Sequence, residues 1–322
     1  MSELLKNIDA RTKLAGTNKL EILLFFLGVD QRTGRRETYG INVFKVREVM
    51  RTPVVTAAPD MPASVEGMVS LRGALVPVID LAKYAGIAAT TPREIMIVTE
   101  YNGHTQGFLV EGVDTILRLD WSKMRVPPEM LTAQTGGLVT AVTELEDGRL
   151  VMMMDVEKVL SETTNIDNEI MYRGVISVDR PDCTVFYCDD SSVARKQIER
   201  TLVAMGVKGV SAVNGRQMWE EMEKVAAYAL SVGKPVSSII NLVLTDIEMP
   251  EMDGYILTKK IKSDPRFAGV SVVMHSSLSG MSNQKLGLSV GVDEYVPKFE
   301  PQRLSETLAR RLGVEVSSVT AA

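Results

Sequence analysis

The stretch from Leu242 to Gly254 constrains the fold of this chain most tightly. It begins with a run of apolar residues that suits a strand buried on both faces, and the run ends at Asp246. Pro250 and Gly254 then close a loop, and a helical pattern begins at Tyr255. The stretch therefore predicts a carboxylate at the carboxyl end of a parallel strand, which is the edge where open α/β sheets bind ligands.

The second half of the chain repeats this alternation of strand and helix. Strands are predicted at Thr184–Cys188, Val207–Val213, Ile239–Asp246, Val270–His275 and Val292–Val296. Helices are predicted at Val193–Met205, Gln217–Leu230, Tyr255–Lys262, Met281–Ser289 and Pro301–Leu312. Five such pairs predict an α/β fold with a doubly wound, five-stranded parallel sheet of the flavodoxin-like type.

The first half has a different pattern, in which short strands are separated by tight turns. The predicted strand pairs are Ile22–Val29 with Tyr39–Val43, Met68–Leu71 with Leu75–Ile79, Ile95–Tyr101 with Gln106–Val110, and Leu138–Leu145 with Arg149–Met154. Asn102-Gly103 and Asp147-Gly148 are strong hairpin signals. Many short strands of this kind predict an all-β domain, either barrels or a sandwich, and Pro77 predicts an edge strand or a bulge.

These patterns divide the chain into an N-terminal helix or arm and two domains. The predicted segments are the arm at 1–18, an all-β domain at 19–162, a linker at 163–181, an α/β domain at 182–314 and a tail at 315–322. The linker is assigned because its residues are mostly polar and follow no clear periodicity.

Composition excludes several classes of protein. The net charge is -5, and neither half has the excess of Lys and Arg typical of nucleic-acid binding. No run approaches the roughly 20 apolar residues of a membrane span, and the first residues do not resemble a secretory signal, so we expect a cytoplasmic protein. The two cysteines, Cys183 and Cys188, lie on opposite faces of one predicted strand, which makes a disulfide between them implausible.

Polar side chains follow four of the strands predicted in the second half. Asp189 and Asp190 follow the first strand, Asp246 the third, Ser276 the fourth and Lys298 the fifth. With the strand order 2-1-3-4-5, these ends meet at one crevice. Three carboxylates placed together repel one another unless a cation lies among them, and oxygen ligands suit Mg²⁺. Lys298 and Ser276 suit a phosphoryl group, and Asp246 is placed to attack phosphorus.

Each of these residues also has a structural explanation when taken alone. Asp190, Ser191 and Ser192 are all suitable helix caps, and Lys298 alone could be a surface lysine. An Mg²⁺-dependent aspartyl-phosphate phosphohydrolase is the alternative function. Phosphohydrolases of the haloacid-dehalogenase type, which use such an Asp nucleophile, need a second Asp two residues after it as general acid, where this chain has Glu248.

Residues 183–312 resemble a response-regulator receiver domain. The resemblance rests on Asp189-Asp190, the run Asp246-Ile-Glu-Met-Pro-Glu-Met-Asp-Gly254, Ser276, and Tyr295-Val-Pro-Lys298-Phe299. It implies that Asp246 accepts a phosphoryl group and that Mg²⁺ is held by Asp189, Asp190, Asp246 and the backbone carbonyl of Glu248. It also implies that the residues that bind the phosphoryl group or act as the switch are Ser276, Tyr295 and Lys298.

The first half resembles the CheW-type chemotaxis coupling domain over roughly residues 19–160. The stretches that carry the resemblance are Tyr39–Val49 and Gly67–Leu81. It implies two small five-stranded barrels. By the same resemblance, Glu48 and Arg72 would contact a chemoreceptor tip, and Gly67 would lie near a surface that faces the kinase. An exposed hairpin charge is the plainer explanation of Glu48 and Arg72.

The order of the two domains resembles that of CheV-type chemotaxis coupling proteins. This resemblance implies an adaptor, not an enzyme, that couples the cytoplasmic tip of a methyl-accepting chemotaxis protein to the chemotaxis histidine kinase. Phosphorylation of Asp246 would regulate it, for adaptation or as a phosphate sink. It would lie at receptor arrays, peripheral to the membrane and not inserted, and would bind no nucleic acid.

Overall fold

The computed structural model describes residues 19–101, 104–164, 169–276 and 290–314 of the 322-residue chain. The chain divides into two compact units, Met1–Thr164 and Asn165–Ala322. The helix or arm predicted within 1–18, the predicted helix Met281–Ser289 and the predicted tail at 315–322 lie outside the described residues.

The described part of the first unit consists of ten strands and three short helices. The strands are β1 (Lys19–Phe26), β2 (Thr38–Asn42), β3 (Val46–Arg51), β4 (Val65–Leu71), β5 (Ala74–Asp80), β6 (Ile95–Tyr101), β7 (His104–Val110), β8 (Gly112–Asp120), β9 (Val139–Glu144) and β10 (Leu150–Met154). The helices are α1 (Leu81–Tyr84), α2 (Glu129–Gln134) and α3 (Val156–Thr164). The strands form two five-stranded sheets with the orders β8-β1-β2-β10-β9 and β3-β6-β7-β5-β4, which confirms the all-β prediction.

Each sheet curls so that one further bridge joins its two edges. Arg125, which follows β8, bridges Val142 in β9, and Thr56, which follows β3, bridges Met68 in β4. Closure of this kind is typical of small barrels, and alternate residues of the strands then fill the interior. The two interiors are lined by Leu20, Ile22, Leu24, Ala141, Val151 and Met153 in the first sheet and by Val69, Val76, Val78, Met96, Val98 and Leu109 in the second.

Two of these strands, β3 and β8, were not among the predicted strands. Charged residues interrupt both of them, as in Val-Arg-Glu-Val-Met-Arg of β3, so neither shows an apolar alternation. Pro77 lies in β5, which is an internal strand. Pro77 pairs with Met68 in β4, but the pairing of β5 with β7 begins only at Val78. On the β7 side, the missing N–H of Pro77 therefore interrupts no hydrogen bonds between strands.

The second unit is a five-stranded parallel sheet with helices on both faces. Its strands are β11 (Thr184–Cys188), β12 (Lys208–Ala212), β13 (Leu242–Thr245), β14 (Ser271–Ser276) and β15 (Glu294–Pro297), and its described helices are α4 (Ser192–Met205), α5 (Gly215–Ser231), α6 (Gly254–Ser263) and α7 (Pro301–Arg311). The order is β12-β11-β13-β14-β15, with every pair parallel. The predicted doubly wound fold with order 2-1-3-4-5 is confirmed.

Side chains of this sheet alternate between two cores, one under each layer of helices. Phe186 and Cys188 belong to the core under α5 and α6, whereas Cys183, Val185 and Tyr187 belong to the core under α4 and α7. The two cysteines are buried in different cores as free thiols, which confirms the prediction that they do not form a disulfide.

The C-terminal part of the predicted linker, residues 172–180, packs against the second unit and is called the strap here. The Ile176 N–H donates to Ser305 Oγ in α7 at 3.1 Å. The N–H groups of Val178 and Asp179 both donate to the carbonyl of Met205 at the end of α4, at 2.9 and 3.0 Å. Val175 and Val178 pack on the core under α4 and α7. The strap therefore covers the groove between these two helices.

Candidate functional site

The acidic pair Asp189-Asp190 lies at the carboxyl end of β11, where the chain turns into α4. Asp189 is fully buried and Asp190 is partly buried. The Ser191 N–H donates to Asp189 Oδ1 at 2.9 Å, which fixes that carboxylate relative to the backbone. Of the three residues suitable for capping α4, Ser191 is the cap, because its Oγ accepts from the Ala194 N–H.

Asp246 follows β13, the strand next to β11 in the sheet, and is buried. Its Oδ1 accepts the N–H of Ile247 at 2.7 Å. The start of α6 lies directly against this strand end, because a Cβ on Gly254 would approach the carbonyl oxygen of Asp246 to 2.0 Å. Glycine at this position is therefore a condition for the close approach of helix and strand.

Lys298 follows β15 and is 1 % exposed. Its Nζ lies 2.9 Å from Asp189 Oδ2 and 3.1 Å from Asp246 Oδ2. A lysine this deeply buried is rare unless it is paired, because its desolvation must be offset by opposite charge. The ammonium thus joins the ends of β11, β13 and β15 at a single point.

The three carboxylates form a cluster that suits a hard divalent cation. Asp189, Asp190 and Asp246 each offer an oxygen, and these oxygens lie within 4.8 Å of one another. Ligands of one octahedral Mg²⁺ lie about 3–4 Å apart for bonds of about 2.1 Å, so small side-chain shifts would bring all three onto one ion. Three carboxylates against one lysine also leave an excess of negative charge. The donor set therefore fits Mg²⁺.

The remaining predicted residues of this crevice lie beside the cluster. Ser276 ends β14 and is buried, and Tyr295 in β15 forms a side-chain hydrogen bond with it. Burial raises the pKa of the Tyr295 hydroxyl well above its usual value, and the negative charges of Asp246 and Glu248 act in the same direction. Tyr295 is therefore protonated at neutral pH. Glu248, whose carbonyl was predicted as a metal ligand, lies in the loop after Asp246 with its side chain partly buried.

Two residues near this cluster were not singled out in the sequence. Tyr255, the second residue of α6, is buried, and this burial raises the pKa of its hydroxyl, with the negative charges of Glu248, Asp253 and Asp246 acting in the same direction. Arg195 in α4 donates hydrogen bonds to the carbonyls of the acidic pair. The position of Tyr255 directly after Asp253-Gly254, at the end of the loop that follows Asp246, could have indicated that it lies near the cluster.

In the first unit, the structure brings Glu48 and Arg72 together as an ion pair. Arg72 Nη2 lies 2.9 Å from Glu48 Oε2, and the side chains are 70 % and 22 % exposed. Glu48 lies in β3 and Arg72 in the turn between β4 and β5, so the pair spans the seam where these edges meet. Arg72 and Gly73 both have positive φ, 51° and 85°, as a two-residue hairpin turn requires.

Gly67 has a structural reason to be glycine that is independent of any partner. Its φ is 138°, and a Cβ would approach the carbonyl oxygen of Thr56 to 2.1 Å. Thr56 is the residue that bridges Met68 and so closes this barrel. Any side chain at position 67 would therefore force the seam apart.

Comparisons with known proteins match each of the two units to a protein family. The model of the CheW-like domain matches residues 24–164, and that of the response regulator receiver domain matches residues 185–309. Chemotaxis protein CheV3 of Helicobacter pylori is 28% identical over 302 residues, which cover 92% of this chain and 95% of the relative. The chain belongs to the CheV-type chemotaxis coupling proteins.

Relatives of the single domains agree with this CheV-type architecture. Chemotaxis protein CheW of Klebsiella aerogenes is 33% identical over 162 residues, which cover 49% of this chain and 93% of the relative. Chemotaxis protein CheY1 of Helicobacter pylori is 34% identical over 127 residues, which cover 39% of this chain and 93% of the relative. A CheV-type protein is a chemotaxis coupling adaptor with a receiver domain.

None of the helices described in this chain is both long enough and apolar enough to cross a bilayer.

Proposed function

We propose that this CheV-type protein couples chemoreceptors to the chemotaxis histidine kinase and that phosphorylation of Asp246 regulates the coupling. The observation that carries the proposal is the convergence of Asp189, Asp190, Asp246 and Lys298 at the ends of adjacent strands. A buried carboxylate held between a lysine and two further carboxylates is suited to accept a phosphoryl group rather than to stabilise the fold.

The chemistry at Asp246 is transfer of a phosphoryl group from a phosphohistidine of the kinase. A carboxylate oxygen of Asp246 forms a bond to phosphorus while the bond from phosphorus to the donor nitrogen breaks. Lys298, already 3.1 Å from Asp246, offsets the charge on the phosphoryl oxygens. Mg²⁺ held by Asp189, Asp190, Asp246 and the Glu248 carbonyl supplies further positive charge to those oxygens when bound.

The new phosphoryl charge acts on the neighbouring hydroxyl groups. Ser276 ends β14 and Tyr295 lies within the neighbouring strand β15, and a side-chain hydrogen bond joins the two. Both carry hydroxyl donors, so a phosphoryl oxygen competes for the hydrogen bond that now joins them. Rearrangement of this pair changes the surface of the receiver around β15. Such a change carries the signal to partners, whether it serves adaptation or removal of phosphate.

The first unit supplies the coupling surface. The exposed Arg72 and its partner Glu48 are the proposed contact with the receptor tip, and the surface near Gly67 is the proposed contact with the kinase. The protein then lies at cytoplasmic receptor arrays through these contacts. Its role is that of an adaptor whose receiver is modified once, and not that of an enzyme with steady turnover.

The test is incubation of the full chain with a small phosphodonor and Mg²⁺, followed by intact-mass analysis. We expect one hydroxylamine-sensitive phosphoryl group per chain, its loss in Asp246→Asn, and normal labelling in Asp264→Asn, a control Asp that caps a turn away from the cluster. Undiminished labelling of Asp246→Asn would place the nucleophile elsewhere. Steady release of phosphate from diverse phosphomonoesters would instead favour the phosphohydrolase.

A further inference from the structure

Arg195 contacts the backbone of the acidic pair from α4. Its Nη1 donates to the carbonyl oxygen of Asp189 at 2.6 Å and to that of Asp190 at 2.9 Å. The side chain is partly buried, whereas that of the next residue, Lys196, is exposed. One guanidinium nitrogen therefore bridges two consecutive carbonyls at the point where β11 turns into α4.

The placement of this arginine is electrostatically unfavourable for the helix itself. Arg195 is the fourth residue of α4, which begins at Ser192, and the first turn of a helix disfavours positive charge. The acidic pair and the two carbonyls compensate for this cost. The Arg195 side chain thus donates its hydrogen bonds to the loop that carries Asp189 and Asp190, although its charge is unfavourable for the helix on which it lies.

The two bonds restrict the peptide groups from which the acidic side chains project. Asp189 is held at its carbonyl by Arg195 and at its Oδ1 by the Ser191 N–H, and Asp190 is held at its carbonyl. Both carboxylates then offer an oxygen toward Asp246. Loss of a group that orients metal ligands typically weakens metal binding by about 10- to 100-fold.

We propose that Arg195 is a positioning residue, which sets the orientation of the Asp189 and Asp190 carboxylates for the binding of Mg²⁺. The proposal rests on the proposed function, because it takes the acidic cluster to be a cation site. It assigns Arg195 no contact with the phosphoryl group or with the metal ion.

Charge and positioning predict opposite effects, which makes the proposal testable. If Arg195 acted only through its charge, it would repel a divalent cation, and a neutral residue would tighten Mg²⁺ binding. If it acts by positioning, any residue that loses the two bonds weakens Mg²⁺ binding, even when the charge is kept. Lysine keeps the charge but is shorter and lacks the planar fork of arginine.

The experiment is titration of the metal-free full chain with Mg²⁺ by calorimetry, with no phosphodonor present. We expect Arg195→Lys to raise the Mg²⁺ dissociation constant about tenfold and Arg195→Gln to raise it as well. Lys196→Arg, the reverse exchange at the exposed neighbouring position, should leave it unchanged. The urea midpoint of each metal-free variant separates loss of fold from loss of binding.

An unchanged dissociation constant in Arg195→Lys overturns the proposal, and so does tighter binding in Arg195→Gln. A fall in the urea midpoint with no change in the Mg²⁺ affinity of the folded protein also overturns it, because Arg195 would then be only structural. Binding is measured here without phosphorylation. A failure of this proposal is therefore distinguishable from a failure of Asp246 to accept phosphate.

Discussion

Lys298 is the residue on which the charge balance of the receiver site depends. Its ammonium is the described cation that contacts both Asp189 and Asp246, and all three side chains are buried. Removing one partner from a buried ion pair leaves uncompensated charge in a medium that solvates it poorly. A bound divalent cation would supply part of the missing positive charge, so the effect of losing the lysine should depend on Mg²⁺.

We therefore expect Lys298→Met to lower the free energy of unfolding of the receiver by about 3 kcal/mol without Mg²⁺, and by clearly less with saturating Mg²⁺. Urea unfolding of the full chain with and without the ion measures both. The control is Lys262→Met, which removes a partly exposed pair with Asp293 and should cost about 1 kcal/mol or less in either condition. An equal loss for Lys298→Met with and without Mg²⁺ would show that the cluster does not bind the ion.

At this scale the sequence predicted which charged and polar side chains lie together at one edge of the sheet, but not Arg195, which contacts the backbone of the acidic pair. Asp189, Asp190, Asp246, Ser276 and Lys298 could be placed together because each follows a strand of known position in the sheet. Arg195 acts from within a helix, where spacing along the chain does not show which carbonyls its long side chain reaches. The sequence marked Gly67 as a turn or bulge glycine but did not show that the close approach of Thr56 requires it; its place near a kinase-facing surface stays a prediction.

At the scale of elements, the strap shows how a segment without periodicity can still have a defined place. Its two valines, Val175 and Val178, pack on the core under α4 and α7. Its backbone N–H groups donate to Ser305 and Met205 instead of to a strand. No periodic pattern in the sequence predicts such backbone hydrogen bonds or the packing of these valines. The strands β3 and β8 were missed for a related reason, since pairing with neighbours and not apolar alternation defines them.

The strap should contribute to the stability of the receiver. We expect Val178→Asp to lower its free energy of unfolding by about 1–3 kcal/mol, because a carboxylate would face apolar side chains. Ser177→Asp places the same charge at the exposed neighbouring position and should change the free energy by less than about 0.5 kcal/mol. Urea unfolding of the full chain measures both. Equal effects of the two substitutions would mean that the strap is only loosely attached.

For the whole molecule, the proposed coupling surface and the proposed phosphorylation site lie on separate units and should be separable by mutation. Arg72→Ala should reduce co-sedimentation with receptor membranes several-fold without changing phosphoryl labelling, since its pair with Glu48 is largely exposed and contributes little to stability. The control is Arg118→Ala, which removes an exposed arginine paired with Glu21 on the other sheet. Equal recruitment of the two variants would remove Arg72 from the receptor contact.

Co-sedimentation of the full chain with receptor membranes and the kinase measures whether phosphorylation of Asp246 alters the coupling. The bound fraction is measured with and without a phosphodonor, for the wild type and for Asp246→Asn. We expect the phosphodonor to change the bound fraction of the wild type and to leave that of Asp246→Asn unchanged. An identical bound fraction of the wild type in both conditions, or the same change in Asp246→Asn, would contradict this expectation.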